Sequence, residues 1–513
     1  MYLIEQAQRQ GCKVVVIDPT LTQTASKADW YIQIKASTDG ALALGMASYI
    51  LKHNLVDMNW LQQNAKGYEE YFQYLRENIT VEWAAKETGI EASVIEALAQ
   101  EYAKTKPANI WIGYGMQRHA NGDGMQRHAN GGQNVRCIDT LAAMTGNIGT
   151  SGGGAQYAQL QTWGIQYHAM KMKPPAGTAT EKDRIININN FGREVLDAQD
   201  PPIKMLWIAC RNPMTQDPET AVVKKAFESM DLVVTADLFM TPTVAMSDIV
   251  LPVTSAFETV GLNVSYWHYW LSLNEQAIAP MYEARSDLEI AMGLSARLNA
   301  LSPGSCTYPT SGGSDEWLAA EFTPEFLEQF GLTHWQELKK GPRKAVKGLI
   351  GWQDGKFKTP SGKYEFASET AQAEGHALLP IWSEPMKTPE AYPLRLISPH
   401  WKLGINSQFQ NLDWMADIYH EPTVKIHPNT AKQYHVAESD MVRLYNDEGE
   451  VRLKTHLTRT VAPDTLVVYQ MWLKDTPFNI NTTLHAILSD MGKKATGSPG
   501  LAFHDNFVAL VKA

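Results

Sequence analysis

The chain has 513 residues and a formal net charge of −10, so it is too long for one compact core and has no general attraction for nucleic acid or an anionic membrane. Its hydrophobic fraction of 44% can fill real cores, which excludes a disordered or fibrous chain. At roughly one domain per 150 residues, three or four domains are expected.

The four cysteines lie far apart, at Cys12, Cys137, Cys210 and Cys306. They form no CxxC pair, so the cysteine set predicts neither a zinc site nor an iron–sulfur cluster. The first ten residues are typical of an amphipathic helix and lack the zones of a signal peptide. The apolar stretch 231–253 is interrupted by Asp237, Pro242, Asp248 and Pro252, so no membrane span is expected. The chain as given is therefore expected to be cytoplasmic.

The first part of the chain predicts alternating helices and strands. We expect helices at 2–10, 41–51, 82–102 (two helices joined by a turn) and 133–144, and strands at 13–17, 30–34 and 109–113. The apolar run 13–17 is typical of a buried parallel strand. Asp18 follows it, at the strand end where open α/β sheets bind ligands.

After a glycine-rich stretch at 146–154, the alternation returns. Strands are expected at 203–209, 232–235 and 249–253, with helices at 218–230 and 242–246. This pattern predicts a second doubly wound α/β unit. Segments rich in Pro, Gly and Ser then lead to a region of strands with a hairpin turn at 446–449, and we expect a β-barrel from about residue 390 to the end.

A nine-residue unit occurs twice in succession, as GMQRHANGD at 115–123 and GMQRHANGG at 124–132. The two copies differ only at the last position. Because solenoid repeats need roughly 20 to 50 residues each, this is expected to be a local duplication that lengthens one loop.

Short strings occur in order along nearly the whole chain. They are VVVIDP at 14–19 followed by Thr22, TDGALAL at 38–44, NVR at 134–136, TGNIG at 145–149, NP at 212–213, DP at 217–218, ADLFMTPT at 236–243, DIVLP at 248–252, SPH at 398–400, SQF at 407–409, IHP at 426–428, NIN at 479–481 and FH at 503–504. Together they resemble the DMSO reductase type of molybdopterin oxidoreductases.

This resemblance implies a fold of two doubly wound αβα domains, one of them incomplete, followed by a double-psi-like β-barrel. The implied domains are 1–137, 138–385 and 390–513. It also implies a molybdenum cofactor with two molybdopterin guanine dinucleotides, Mo-bis(MGD). A carboxylate can accept two adjacent N–H groups of guanine, which suits Asp18 and Asp237 at matching strand ends.

The resemblance further implies a set of site residues. Arg136 matches an arginine beside the metal, where a fixed cation could stabilise developing negative charge. The implied cofactor-binding residues are Asp18, Pro19, Thr22, Asp39, Gly115, Arg127, His128, Asn212, Pro213, Asp217, Asp237, Thr241, His400, Ser407, Gln408, Asn479, Asn481 and His504.

Simpler interpretations stay open for several of these residues. Asp18 could cap a turn, Asp39 could cap its helix, and Arg136 could lie on an exposed helix face. His504 could be a satisfied core histidine. Arg118 and His119 of the first repeat copy could replace Arg127 and His128 of the second, but the second pair keeps its spacing to Arg136.

The chain also departs from the family pattern. Thr20 and Lys35 stand where the family often has arginines, and the implied [4Fe-4S] domain and metal ligand are expected to precede Met1 in a longer parent. The implied partners are a ferredoxin-like iron–sulfur subunit and a membrane anchor subunit, with the parent enzyme exported and associated with the membrane on its periplasmic or outer side.

The leading functional hypothesis is reduction of small S-oxides or N-oxides, because the region 258–280 resembles that branch. Other chemistry of the same superfamily, on polysulfide, tetrathionate, nitrate or formate, remains an alternative. A truncated product that binds cofactor only partly is a second class of explanation. A nucleotide-binding dehydrogenase is a third, against which the missing glycine fingerprint argues.

Overall fold

A computed structural model describes residues 2–113, 127–157, 165, 184–264, 268–346, 350–401, 403–404, 406–419, 421–471, 478–493 and 498–513. Gly115, one of the expected site residues, lies outside these ranges.

The first part of the chain forms a helix-rich unit. Its elements are α1 (Tyr2–Arg9), β1 (Val15–Ile17), β2 (Trp30–Ile32), α2 (Asp39–Lys52), α3 (Met58–Asn64), β3 (Ala65–Lys66), α4 (Tyr68–Asn78), α5 (Val81–Thr88), α6 (Ala92–Lys104), β4 (Asn109–Trp111), α7 (Gly131–Met144) and β5 (Gly154–Gln156). β1 pairs with β2, and β4 with β5, both in parallel. The helices and strands predicted here are therefore present.

Helix α2 forms the centre of this unit. Its sequence is apolar on almost every side, as in helices enclosed by others, and Ala41, Leu44 and Ala47 are fully buried. A Cβ atom on Gly45 would lie 2.4 Å from Cβ of Ala84, so glycine allows the close approach of α5. The N-terminus of α2 meets α7, where Asn134 Oδ1 accepts a hydrogen bond from the Gly40 N–H at 3.1 Å.

Helix α7 runs without a break through the expected domain boundary at residues 137 and 138. Residues on both sides of that point belong to one apolar core, and Phe366 from much later in the chain packs into it. The ring centroids of Phe366 and Tyr71 lie 5.2 Å apart. The first unit thus combines distant segments.

The second α/β unit contains α8 (Phe191–Asp197), β6 (Met205–Ala209), α9 (Pro213–Gln216), α10 (Thr220–Glu228), β7 (Leu232–Asp237) and β8 (Ile249–Pro252). The three strands form a parallel sheet in the order β6-β7-β8. Ile208, Val223, Phe227 and Val233 form the apolar core between one sheet face and α10.

The next region leads from the sheet to the barrel. It contains β9 (Gly261–Val264), β10 (Trp270–Asn274), α11 (Asp287–Leu301), α12 (Ser314–Glu321), α13 (Pro324–Gln329), β11 (Arg343–Lys344), β12 (Tyr364–Glu365) and α14 (Glu369–Ala373). β9, β10 and β11 form a small sheet, whereas β12 pairs with β3 of the first unit.

The C-terminal region is a closed β-barrel, as predicted. It contains β13 (Leu394–Ile397), α15 (Asp413–Tyr419), β14 (Thr423–Ile426), α16 (Pro428–Gln433), β15 (Met441–Tyr445), β16 (Glu450–Leu457), β17 (Thr465–Val467) and β18 (Asn506–Lys512). The strand order is β13-β17-β14-β16-β15-β18. The hairpin predicted at 446–449 joins β15 to β16, which pair in antiparallel register from Met441↔Lys454 to Tyr445↔Glu450.

Candidate functional site

Residues 127–129 of the second repeat copy are held by the barrel segment. Arg127 is 1% exposed, and its Nη1 donates to the Ser398 carbonyl at 2.6 Å while Nη2 donates to Gln470 Oε1 at 3.1 Å. Its guanidinium carbon lies 4.5 Å from the ring centroid of Phe503. The structure therefore places the arginine of the second repeat copy in a buried position on the barrel.

His128 lies beside Arg127 in a buried charged network. Its Nδ1 lies 2.9 Å from Asp505 Oδ1, and Asp505 Oδ2 accepts from the Ala129 N–H at 2.6 Å. Asp505 Oδ1 also accepts a hydrogen bond from Arg395. Burial raises the pKa of Asp505, but His128 and Arg395 outweigh that effect and hold the pKa below its usual value. Asp505 is therefore a carboxylate anion that binds the 127–129 segment.

His504 completes this cluster. Its ring centroid lies 5.6 Å from that of His128, and its backbone N–H donates to the Arg127 carbonyl at 2.8 Å. Burial, together with nearby Arg127 and His128, holds the pKa of His504 far below its usual value of 6.5. His504 is therefore neutral at physiological pH, with one ring nitrogen able to accept and one able to donate.

A second polar cluster forms where the loop after β6 meets the barrel. Thr243 Oγ1 donates to Asn212 Oδ1 at 2.5 Å. Asn479 Nδ2 donates to the Met214 carbonyl, and Asn481 Nδ2 donates to the carbonyl of Thr215, each at 3.0 Å. The two asparagines thus bind carbonyls of α9, whose first residue is Pro213, and join the second unit to the barrel.

The buried polar atoms without a hydrogen-bond partner within the described ranges include Asn212 Nδ2, Asp217 Oδ2 and His504 Nδ1. Leaving one buried donor or acceptor unsatisfied costs about 1–3 kcal/mol, so such atoms are uncommon in folded proteins. An amide donor, a carboxylate acceptor and an imidazole nitrogen can each pair with a heterocycle that both donates and accepts hydrogen bonds, as the pterin of the expected cofactor does.

The strand-end carboxylates have different surroundings. Asp18 Oδ1 accepts from the N–H and the Oγ1 of Thr20, at 2.8 and 2.9 Å, and so caps the turn after β1. Asp237 ends β7, and its Oδ1 accepts from the Phe239 N–H at 3.2 Å. Burial raises the pKa of Asp237 above its usual value. Both carboxylates lie where the sequence predicted, but whether they bind guanine stays a prediction.

Asp39 is the first residue of α2 rather than its cap, because Thr38 occupies the cap position. Burial raises the pKa of Asp39 to about 6, and the nearby His128 reduces that rise. Asp39 therefore lies within electrostatic reach of the charged network on the barrel.

Other expected residues lie around these clusters. Thr22 Oγ1 accepts from the Ala25 N–H, and the Pro19 carbonyl accepts from Gln33. Thr241 is buried beside the Asn212 loop. Ser407 Oγ accepts from Gln216 Nε2 at 3.3 Å, whereas the side chain of Gln408 is exposed. His400 forms a backbone bridge to Gln470, the partner of Arg127.

Arg136 lies apart from the histidine cluster. Its Nη1 donates to Gln133 Oε1 and to the Ala377 carbonyl, at 3.0 and 2.6 Å, and its Nη2 donates to the Leu378 carbonyl at 2.9 Å. These contacts are those of an arginine that fixes a neighbouring chain segment. A catalytic role for Arg136 stays a prediction.

Sequence reasoning missed the anions that hold the 127–133 segment. Asp505 is one, and Asp490, whose carboxylate accepts from the Gly132 and Gln133 N–H groups at 2.6 and 2.9 Å, is the other. Both lie more than 350 residues away in sequence from their partners, as the separations of 377 and 358 residues show. The only local signal was the position of Asp505 directly after His504.

Within the described ranges, no group of three or more His, Cys, Asp or Glu side chains is arranged to hold a metal ion. The same ranges contain no helix that is both long and apolar enough to span a membrane.

Comparison with known proteins finds matches along most of the chain. The family model described as "Molybdopterin oxidoreductase" matches residues 1–297, and "Molydopterin dinucleotide binding domain" matches residues 394–499. The probable oxidoreductase YoaE of Bacillus subtilis is 32% identical over 504 residues, which cover 96% of this chain and 70% of YoaE. Dimethyl sulfoxide reductase DmsA of Escherichia coli is 28% identical over 530 residues, covering 90% of this chain and 63% of DmsA.

A solved structure shows the same overall fold. Acetylene hydratase from Pelobacter acetylenicus superposes with a TM-score of 0.77 at 22% identity, over 99% of this chain and 75% of that one. The matched models cover most of the chain, and the buried unsatisfied atoms suit a pterin-type ligand. The chain is an oxidoreductase that belongs to the molybdopterin oxidoreductase family.

Proposed function

We propose that this chain carries the catalytic machinery of a molybdenum enzyme that reduces small S-oxides or N-oxides with a Mo-bis(MGD) cofactor. The observation that supports this most is the set of unsatisfied buried atoms on Asn212, Asp217 and His504. Asn212 and Asp217 flank α9, whose carbonyls bind Asn479 and Asn481 of the C-terminal region, and His504 lies beside His128.

The pterin part of the cofactor would contact the histidine cluster. His504 is neutral and can donate and accept, while His128 is oriented through its Nδ1 by Asp505. A reduced pterin carries both N–H and carbonyl groups, so paired imidazoles can satisfy both kinds. Arg127 would contribute indirectly, by fixing the backbone that carries His128.

The two guanines would bind at the strand ends of the α/β units. Asp18 and Asp237 each hold backbone N–H groups of the following turn with one oxygen. Each carboxylate would also accept N–H groups of guanine, in charge-assisted hydrogen bonds. We also propose that both α/β units are doubly wound and that the barrel is of the double-psi type; parallel strand pairs in both units and the closure of the barrel support this.

The cofactor would supply oxygen-atom transfer and two-electron chemistry, while the protein binds, orients and excludes water. Burial shifts the protonation of two residues of the chain: it keeps His504 neutral, and it raises the pKa of Asp39 to about 6. Asp39 could therefore exchange a proton near neutral pH, close to His128. Such a group suits a reduction that consumes protons.

Two observations support the proposed substrate class. The region 258–280 resembles the branch that acts on S-oxides and N-oxides, and several matched relatives carry names such as dimethyl sulfoxide reductase and trimethylamine-N-oxide reductase. We propose that electrons come from a ferredoxin-like iron–sulfur subunit, and that a membrane anchor subunit holds the enzyme at the outer or periplasmic side.

Purification from a host that makes the cofactor tests this proposal. We expect molybdenum by elemental analysis, oxidised pterin fluorescence after denaturation, and GMP after acid hydrolysis. Reduced viologen dye should be oxidised with dimethyl sulfoxide or trimethylamine N-oxide and not with tetrathionate or nitrate, and oxidised viologen dye should not be reduced with formate. Release of a different nucleotide would refute the guanine assignment, and turnover only with nitrate or formate would refute the substrate class.

A matched pair of variants tests the site. Asp217 Oδ1 binds Arg211 and its buried Oδ2 has no partner in the described ranges, so Asp217→Asn should lower the cofactor content of the folded fraction severalfold. Asp231→Asn changes an exposed aspartate paired only with exposed Lys204, so cofactor content should stay unchanged. Equal cofactor content in the two variants would argue against Asp217 as a ligand-binding residue.

A further inference from the structure

The tandem repeat offers two nearly identical segments for one set of contacts on the barrel. Residues 115–122 and 124–131 both read GMQRHANG, and only the ninth residue differs, Asp123 in one copy and Gly132 in the other. In the structure the second copy holds these contacts, with Arg127 bound to Ser398 and Gln470, and His128 bound to Asp505. Arg118 and His119 have the chemistry to make the same contacts.

The ninth position is where the two copies would meet different surroundings. Gly132 lies in the first turn of α7 and donates its N–H to Asp490 Oδ1 at 2.6 Å. A Cβ atom added there would lie 2.9 Å from the same oxygen and 3.0 Å from Cβ of Met491. Such distances force a neighbour to move, and Asp490 is fixed by a second hydrogen bond, from the Gln133 N–H at 2.9 Å.

Charge acts in the same direction as size. An aspartate in the first turn of a helix is ordinarily stabilising, because the helix dipole favours negative charge there. In this helix Asp490 already supplies that negative charge, and its backbone N–H is bound to the Ala129 carbonyl at 2.9 Å. A second carboxylate at position 132 would face the first at contact distance, and like charges at that distance repel. This repulsion exceeds the benefit from the helix dipole, because the backbone N–H groups that a carboxylate at position 132 would bind are already bound to Asp490.

We propose that the ninth residue decides which repeat copy can occupy the barrel contacts. A copy that ends in glycine fits beside Asp490, and a copy that ends in aspartate does not. Gly132 and Asp490 are then positioning residues, which place Arg127 and His128 in the candidate site. The consequence for cofactor binding rests on the proposed function, whereas the consequence for stability does not.

Two nine-residue deletions test this inference directly. Deleting 115–123 leaves the sequence GYGMQRHANGGQNV, and deleting 124–132 leaves GYGMQRHANGDQNV. The two shortened chains therefore differ at one residue only. We expect the first deletion to keep the thermal midpoint of the full chain within about 2 °C, and the second to lower it by about 5 °C or more. Equal midpoints for the two deletions would overturn the proposal.

Point variants in the full chain cover the case in which the second deletion does not fold. Gly132→Ala adds only the clashing Cβ atom and should lower the midpoint. Gly293→Ala is its control, because that glycine lies in α11 with open space around its Cβ position. An unchanged midpoint for Gly132→Ala would contradict the steric argument.

A second matched pair asks which copy is in use. Arg127→Ala should lower the midpoint by several degrees, while Arg118→Ala, in an identical local sequence, should leave it unchanged. Equal effects would show that the copies are interchangeable. Pterin content, measured in parallel, separates the two proposals: without pterin in any variant the proposed function fails, yet the midpoint differences between copies would still stand.

Discussion

Asp505→Asn is the most informative single substitution for the contact between the barrel and the 127–129 segment. The carboxylate has no exposed side-chain surface, and it binds His128, the Ala129 N–H and Arg395 at once. The substitution keeps the size of the side chain and removes its charge. It leaves Arg395, whose side chain is 11% exposed, facing an amide instead of an anion.

The expected loss follows from this burial. Removing one partner of a buried ion pair destabilises proteins by about 3–5 kcal/mol, because the remaining charge stays desolvated without compensation. The matched control is Asp231→Asn, which breaks the ion pair between Lys204 and Asp231, with side chains 68% and 69% exposed. Exposed pairs contribute about 0–1 kcal/mol.

Urea denaturation followed by tryptophan fluorescence gives the free energy of unfolding of both variants. We expect Asp505→Asn to lose several kcal/mol and Asp231→Asn less than about 1 kcal/mol. A loss for Asp505→Asn as small as that for the control would refute the idea that Asp505 anchors the segment.

Three further predictions concern protonation and Arg136. The pKa of His504 is far below 6.5 in the folded chain, so below that pH the unfolded chain binds more protons. The free energy of unfolding should therefore rise with pH up to about 6.5, and His504→Gln should flatten this rise. An unchanged slope would contradict this prediction. Burial raises the pKa of Asp139 from 3.8 to about 7, so the stability of the folded chain falls as the pH rises through that range. Asp139→Asn should therefore be more stable than wild type by about 2–4 kcal/mol at pH 8, and equal to it at pH 4. Arg136→Lys should lose about 1–2 kcal/mol of stability, since a lysine cannot hold both carbonyls of the 377–378 segment in the same geometry; lower turnover at unchanged stability would instead support the catalytic role.

Local patterns predicted most of the regular structure. The apolar run at 13–17 gave β1, the alternating residues around the 446–449 turn gave the β15–β16 hairpin, and the apolar sequence after Asp39 gave α2. Each of these signals lies within about fifteen residues of chain. The barrel was also predicted, from the change to short strands after residue 390, although of the described strands only β15 and β16 are neighbours both in sequence and in the barrel.

Contacts between distant segments could not be predicted in this way. The pairing of β12 with β3 brings residues 364–365 to the first unit, and nothing in either short strand specifies the other. The expected boundary at residue 137 falls inside α7. Residues on both sides of that point belong to one apolar core, and this could not be foreseen from local patterns. Asp490 and Asp505 likewise gain their roles only when the barrel meets the 127–133 segment.

The resemblance proposed site residues that composition alone could not. Asn212, Asp217 and His504 are among them, and each has a buried atom without a partner in the described ranges. It could not foresee that Arg136 binds backbone carbonyls, because that depends on where the 377–378 segment lies.

The cofactor content of the purified chain tests the central claim most directly. After expression in a host that makes molybdopterin, the folded, monodisperse chain should release oxidised pterin and GMP in a ratio of about one to one on denaturation and hydrolysis, and Asp217→Asn should release severalfold less. A folded, monodisperse chain that releases neither pterin nor GMP, under conditions in which a related oxidoreductase is loaded, would contradict the account.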